Sequence, residues 1–311
     1  MAGFTNYAFR TLLRHLGGVD LIATEMVSAR SFAELEMRGL DEPSRLWGVR
    51  EEARPLAVQI WDNQPETLAK FAQQLAEDFK VSVIDLNFGC PARQIAGKSA
   101  SGSYLLQFPE KIADIVRQTV QAAGNVPVTL KIRLGRTRDT INAVDVAQAA
   151  EDSGAAAITV HGRTASQMYT GQADWQEIGK VKRGVRKIPV IANGDIRSVD
   201  DALRCLQETA ADGIMLGRGG IAKPYLFRQI AQVLRGEPVE PEPDNRFFRE
   251  LIRQHYELLR RQFSERTAVH ILRKHVCHYV VSLRGARMFR NAVGAADNEE
   301  TFFGFVNDFF V

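Results

Sequence analysis

Cysteine is scarce in this chain of 311 residues: there are three, Cys90, Cys205 and Cys277, odd in number and far apart. Neither a disulfide framework nor a metal-ligand set is suggested by such spacing, and thiols used this way fit a reducing compartment. Long apolar runs are missing as well. No segment approaches the about eighteen uninterrupted apolar residues of a membrane span, and the opening MAGFTNYAFRTLLRHLGG has no extended apolar core with a cleavage site. A soluble, cytoplasmic protein with no membrane partner is the expectation. Low-complexity tracts are also absent. A composition 45% hydrophobic and 25% charged argues for a folded chain, long enough for a barrel-sized domain and a smaller one.

The net charge of +3 is small, but its distribution is uneven. From Asp244 to Arg290 eleven Lys or Arg stand against four Asp or Glu, whereas residues 1–243 balance at twenty-nine of each. The same segment holds four of the six histidines, and residues 291–311 carry four acids and no base. A concentrated basic patch beside a neutral region suggests an anionic macromolecular partner such as nucleic acid. A solvated helical face is the plainer reading, and charge alone does not choose between them.

What the chain does have is alternation. Apolar, β-branched runs recur at VDLIATE (19–25), PLAVQIW (55–61), VSVIDLNFG (81–89), VPVTLKIR (126–133), AAAITVHG (155–162), KIPVIANGD (187–195) and ADGIMLGR (211–218). Between them, stretches such as PETLAKFAQQLAEDF and PEKIADIVRQTVQAAG place apolar residues at i, i+3, i+4 and i+7, the signature of amphipathic helices. Strand and helix alternating at this spacing predict an α/β fold with a parallel sheet, a TIM (β/α)8 barrel. Seven strands are visible, so Met1 to Gly3 are expected to form the loop after a first strand that this sequence lacks or starts inside. The barrel domain is read over 1–236. EPVEPEPDN (237–245), with three prolines, reads as a linker, and 246–311 as a small α-helical domain.

The stretch IDLNFGCPARQIAGKSASGSYLL (84–106) ends a strand at Asn87, Gly89, Cys90 and Pro91 and enters a loop rich in glycine and serine. A lone cysteine is more often a small buried hydrophobe than a reactive group. Its place just past a strand end argues otherwise, because α/β barrels keep their chemistry at that rim. The polar residues that close the other strands should converge there: Gln59, Asn87, Lys131 with Arg133, His161 with Arg163, Asn193 with Asp195, and Gly217 with Arg218. The Asn193-Gly194-Asp195 and Gly217-Arg218-Gly219-Gly220 runs follow the last two strands, where barrels commonly hold a phosphate. Ordinary turn residues are the plainer reading of both. Lys131, His161 and Gln59 offer donors to an electron-rich ring that becomes anionic on reduction, as flavin does.

Taken together, MAGFTNYAFR, NFGCPARQ, SGSYLL, LKIRLG, VHGRT, VIANGDI, IMLGRGG and a late RKH, in this order, resemble the bacterial tRNA-dihydrouridine synthase family over nearly the whole chain. The resemblance implies an FMN-bound barrel that reduces a uridine in tRNA with electrons from NADPH, acting as a monomer. It implies that Met1 and Gly3 border the flavin, and that Gln59, Lys131 and His161 contact its ring and chain. Asn193, Gly194, Asp195, Gly217 and Arg218 would hold its phosphate. Asn87, Arg133 and Tyr169 would face the uracil, with Arg273 and Lys274 of the RKH run as further substrate contacts, no metal, and Cys90 as the general acid.

On that reading hydride reaches C6 of uracil and an acid must protonate C5, a task that suits a thiol. The glycine and serine loop would be a lid. The base must leave its stack to reach the barrel mouth, which gives the basic helical part a purpose in gripping RNA. Two other readings remain open at this point: a flavin barrel acting on a free pyrimidine or small enone, which needs no basic tail, and a non-catalytic RNA-binding protein, which needs no polar rim. A cofactor-free phosphosugar barrel would need a carboxylate base at the rim, and the clearest strand ends supply none.

Overall fold

The computed structural model describes residues 1–40, 42–281 and 283–311. The chain divides into two compact units, one made of Met1–Gly3 and Asp20–Gly217, the other of Phe4–Val19 and Arg218–Val311.

The first unit is a parallel sheet wrapped by helices. Its strands are β1 (Ile22–Ala23), β2 (Val27–Ser28), β3 (Leu56–Trp61), β4 (Val83–Phe88), β5 (Val128–Arg133), β6 (Ala157–His161), β7 (Val190–Asn193) and β8 (Gly213–Met215). From β3 onward, each strand pairs in parallel with the next in sequence. Both β1 and β2 pair with β3, so the run expected as one strand over 19–25 is two halves of a single strand position. The break has a local cause. The Thr24 hydroxyl accepts the Gln59 N–H over 3.1 Å, standing in for a ladder carbonyl. Seven strand positions of the TIM-type α/β barrel are thus filled, and every C-terminal end faces one rim.

The helices obey the spacing read from sequence. In α3 (Pro65–Glu77) the buried positions are Leu68, Phe71, Ala72 and Leu75, and in α5 (Ala143–Asp152) they are Ala143, Val146, Ala147 and Ala150, both the i, i+3, i+4, i+7 stripe. Pro65 and Pro109 occupy the first turns of α3 and α4 (Pro109–Ala123), where the missing N–H costs nothing. Asp174 and Ser198 cap α6 (Trp175–Gly184) and α7 (Val199–Thr209) by accepting the N–H groups of Glu177 and Asp201. Burial of one such Leu or Phe contributes about 1.5–3 kcal/mol, so the outer helices and the apolar residues of the strands hold each other in place. Phe71, 1% exposed and stacked on Phe32 at 4.3 Å, is a position whose truncation to Ala would cost about 3–5 kcal/mol.

The second unit is helical: α1 (Tyr7–Leu16), α8 (Arg218–Ala222), α9 (Leu226–Leu234), α10 (Asn245–Arg260), α11 (Glu265–Tyr279), α12 (Ala286–Ala295) and α13 (Glu299–Phe309). The remaining helix, α2 (Ala29–Met37), belongs to the first unit. The buried stripe of α10 runs Phe248, Leu251, Ile252, His255, Tyr256, Leu259, and that of α11 includes Ala268, Leu272, His275 and Tyr279. Two histidines therefore sit at core positions. Their rings lie 4.5 Å apart between centroids, enclosed by Phe4, Phe9 and Tyr279. No helix among the described residues is long and apolar enough to cross a membrane.

Candidate active site

The turn that carries Cys90 is built by a side chain near the end of the strand before it. Asn87 is the penultimate residue of β4, on the strand face that also carries Asp85, and its Oδ1 accepts the backbone N–H of Gly89 at 3.1 Å and of Cys90 at 2.9 Å. An Asx-type bridge of this kind fixes a sharp exit from a strand. The Asn87 Nδ2 donates in turn to Gln59 Oε1 at 2.8 Å. On the other side, the Cys90 carbonyl accepts the Ser103 N–H at 3.0 Å. Gly102 makes this approach possible. It sits at φ +56, and a Cβ there would lie 2.7 Å from the Cys90 carbonyl oxygen and 3.3 Å from the Cys90 Cβ.

The loop expected as a lid is therefore folded against the strand end. It forms a π-helical turn over Arg93–Lys98 and a 3-10 turn over Gly102–Gln107, with Ser101 and Ser103 each 1% exposed. Gly102, Ser101 and Ser103 pack closely at the strand end. Cys90 itself remains partly accessible, whereas Cys205 is buried and its thiol is pushed up to about 12, chiefly by burial.

Arg133 closes β5, and its Nε and Nη1 donors are taken up by backbone carbonyls. It is 2% exposed; Nε donates to Gly89 O at 3.0 Å, and Nη1 to Thr164 O and Met168 O, each at 2.8 Å. It thus ties the Cys90 turn to the loop after β6. Tyr169 in that loop is exposed, with its ring centroid 5.5 Å from the Arg133 guanidinium carbon, a cation–π spacing.

The same loop is fixed from its other side by Arg163, which the sequence motifs mark only as a strand-end neighbour of His161. Arg163 is 1% exposed and donates to Thr170 O at 3.0 Å, Gly171 O at 2.7 Å and Asp195 Oδ2 at 2.6 Å. Asp195 also accepts the Ala173 N–H at 2.8 Å. Burial alone would raise this carboxyl; the bonds from Arg163 and Ala173 outweigh it and hold the pKa below the usual carboxylate range. His161 lies beside this pair, with Nε2 at 3.4 Å from Arg163 Nη1. Gly194, at φ +122, leaves room for it: a Cβ would sit 2.9 Å from His161 Cδ2 and 2.7 Å from Ala173 Cβ.

Lys131 stands in register between Asn87 and Thr159. Its Nζ has neither a hydrogen-bond acceptor nor an ion-pair partner among the described residues. Burial, foremost, and the charge of Arg133 bring its pKa down to about 8, against the opposing pull of Asp85 and Cys90. Asn193 Nδ2 donates to Met215 O at 2.7 Å, joining the ends of β7 and β8. Met1 reaches the end of β8, its sulfur 3.4 Å from where a Cβ on Gly217 would stand, and the Gly3 N–H donates to Glu25. Of the anticipated residues, Arg218, Arg273 and Lys274 belong to the second unit. Arg218 opens α8, Arg273 donates to Ala296 O at 2.8 Å, and Lys274 is exposed on α11.

Two further interior residues are legible in the sequence only as exceptions to an apolar strand. Asp85 in VIDLNF and Thr129 in VTLKIR share the inward face with Asn87 and with Lys131 and Arg133, as the two-residue strand period requires. A buried acid in a central parallel strand is the available signal.

A parallel barrel with a partly accessible thiol, an enclosed ammonium and a polar layer gathered at one rim defines an enzyme of the α/β-barrel class. The chain belongs to the dihydrouridine synthase family, whose sequence model, described as Dihydrouridine synthase (Dus), matches residues 1–308. It is similar to tRNA-dihydrouridine synthase B of Pseudomonas aeruginosa, at 39% identity over 302 residues, covering 93% of this chain and 85% of that protein. It is similar also to tRNA-dihydrouridine synthase B of Pseudomonas syringae pv. tomato, 37% identical over 311 residues and covering 100% and 89%. The protein of the same name from Xanthomonas axonopodis pv. citri is 36% identical over 319 residues, covering 100% and 91%. As a member of this family the protein is an oxidoreductase.

Proposed function

We propose that the protein reduces the C5–C6 bond of a uridine in tRNA to 5,6-dihydrouridine, with FMN as its resident cofactor and NADPH as electron donor. The observation that carries the reading is the pairing, on one rim, of a partly accessible thiol at Cys90 with an ammonium at Lys131 that has no protein acceptor among the described residues. An ammonium left without an acceptor beside the barrel mouth fits an electron-rich ring, and the chemistry of the set as a whole fits a flavin. Gln59, Lys131 and His161 would hold the ring, with Met1 and Gly3 at its border. Asn193, Gly194 and Gly217 would hold the phosphate-bearing chain, and Arg218 follows Gly217 directly. Asp195 would take part through its backbone, because its carboxylate is engaged by Arg163.

The chemistry that FMN would supply, when bound, is hydride donation to C6 of uracil. What the chain's own residues supply is placement and a proton. Asn87 holds the Cys90 turn, and from that turn the Sγ–H would protonate C5. Arg133 and Arg163 fix the loop that carries Tyr169, which would pack against the extruded base. The excess of positive charge over 246–290, with Lys274 exposed, supports a role for the helical part in gripping folded RNA. A tRNA substrate would be met in the cytoplasm, and the chain would act there as a monomer.

The test is direct. Purified protein should be yellow with FMN and, given NADPH, should convert uridine to dihydrouridine in unmodified tRNA, read by mass spectrometry of the digested RNA. A colourless protein would remove the cofactor assignment. A flavin-loaded protein that reduced free uridine as readily as tRNA would remove the substrate assignment.

A further inference from the structure

Asp85 has no part in the chemistry above, yet it is 4% exposed in the middle of β4. A carboxylate is kept there only with partners. Besides the charge of Lys131 it has two hydrogen-bond donors among the described residues: Gln59 Nε2 donates to Oδ2 over 2.7 Å, and Thr129 Oγ1 donates to Oδ1 over 2.7 Å, both from the neighbouring strands in the same register row. The chain of bonds continues upward. Gln59 Oε1 accepts from Asn87 Nδ2, and Asn87 Oδ1 accepts the N–H groups of Gly89 and Cys90.

A side-chain amide can be turned over with little change of shape, exchanging its donor for its acceptor. Neither amide in this chain of bonds has that freedom. At the upper end two backbone N–H groups can only donate, which turns the Asn87 oxygen toward them. At the lower end Asp85, its pKa raised by burial against the bonds from Gln59 and Thr129 and the charge of Lys131, accepts as a carboxylate, which turns the Gln59 nitrogen toward it. Two amides between a fixed acceptor and fixed donors have one consistent arrangement.

We infer that Asp85 is a positioning residue for Cys90, acting through Gln59 and Asn87 to set the Gly89–Cys90 turn and hence where the Cys90 sulfur stands. This deepens the reading of Cys90 as proton donor and rests on it, but the placement of the thiol is measurable by itself.

Asp85→Asn replaces the fixed acceptor by a group that can donate. Gln59 is then free to turn its nitrogen toward Asn87, and Asn87, turning in response, withdraws its oxygen from the two backbone donors. Adding Gln59→Glu to Asp85→Asn restores an acceptor beneath Asn87 while keeping shape and total charge. Thr129→Val removes the other bond to Asp85 and leaves the path to Cys90 intact.

The experiment uses the full chain with its cofactor bound and measures the rate of Cys90 alkylation by iodoacetamide, located by peptide mass mapping, beside reoxidation of reduced enzyme by unmodified tRNA in a single turnover. Asp85→Asn is expected to change the alkylation rate and slow reoxidation by about 10–100-fold, the usual effect of misplacing a reacting group. The double variant should return the alkylation rate to within about threefold of the parent, and Thr129→Val should leave both rates near the parent. A double variant no better than Asp85→Asn, an Asp85→Asn protein that behaves as the parent, or a Thr129→Val protein as impaired as Asp85→Asn would overturn the inference. Rescue of alkylation with no response of reoxidation in any variant, Cys90→Ala included, would uphold the positioning and reject the proton-donor reading.

Discussion

Asp195 accepts from Arg163 across 2.6 Å while Arg163 is 1% exposed, so the charge that braces the loop after β6 is neutralised by the residue that follows β7. Removing one member strands the other. Asp195→Asn leaves a buried guanidinium without its counter-charge and should destabilise the first unit by about 3–5 kcal/mol. Arg163→Met with Asp195→Asn should cost clearly less than the two single changes added together. Urea unfolding of the four proteins measures the coupling, and additive losses would mean the pair is held by its backbone partners alone.

The buried histidine pair gives a pH dependence with a defined sign. His255 lies well below its ordinary pKa, because of burial and then because of His275 beside it. His275 falls to about 4, chiefly through burial, with the Phe4 and Ile271 carbonyls opposing the shift and His278 and Lys274 adding to it. The unfolded chain therefore binds protons that the folded one refuses, and stability present above pH 6.5 is lost as pH falls through about 4. For His275 the fall from 6.5 to about 4 corresponds to about 3 kcal/mol. His275→Gln should flatten the acid limb of stability against pH between these values. Parallel limbs in parent and variant would show that other groups govern acid unfolding.

Lys274 and Arg266 are exposed on α11, where a phosphate backbone can reach them. Lys274→Glu with Arg266→Glu should weaken tRNA binding and lower the slope of log affinity against log salt by about one for each phosphate that is no longer neutralised, with flavin content unchanged. An unaltered slope would place the RNA-binding surface on another face.

Much of the barrel is legible in the sequence, since the two-residue and i, i+3, i+4 periods of β3 to β7 and α3 to α7 report burial directly. The split of the first strand is not, because it depends on Thr24 meeting an N–H of Gln59, thirty-five positions on. Arg133 reads from sequence as a donor facing the rim. Its Nε and Nη1 donors are instead taken up by the carbonyls of Gly89, Thr164 and Met168, which no local pattern announces. Gly102 reads from sequence only as part of the loop expected as a lid; its φ of +56 and its close approach to Cys90 are tertiary. The histidines at 255 and 275 are readable by another route. Grouped with the basic residues they suggest a charged face, yet their spacing puts them on the apolar stripes of α10 and α11.

The central claim is that Cys90 delivers a proton and does nothing else that turnover requires. Cys90→Ala should retain FMN and oxidise NADPH at the parent rate, since neither step uses the thiol, and Cys205→Ala, far from the rim in α7, should show only a packing loss. The decisive measurement is single-turnover reoxidation of pre-reduced Cys90→Ala protein by unmodified tRNA. A rate about 10²–10⁴-fold below the parent is the predicted result, the usual worth of one positioned acid; reoxidation as fast as the parent's would contradict the account.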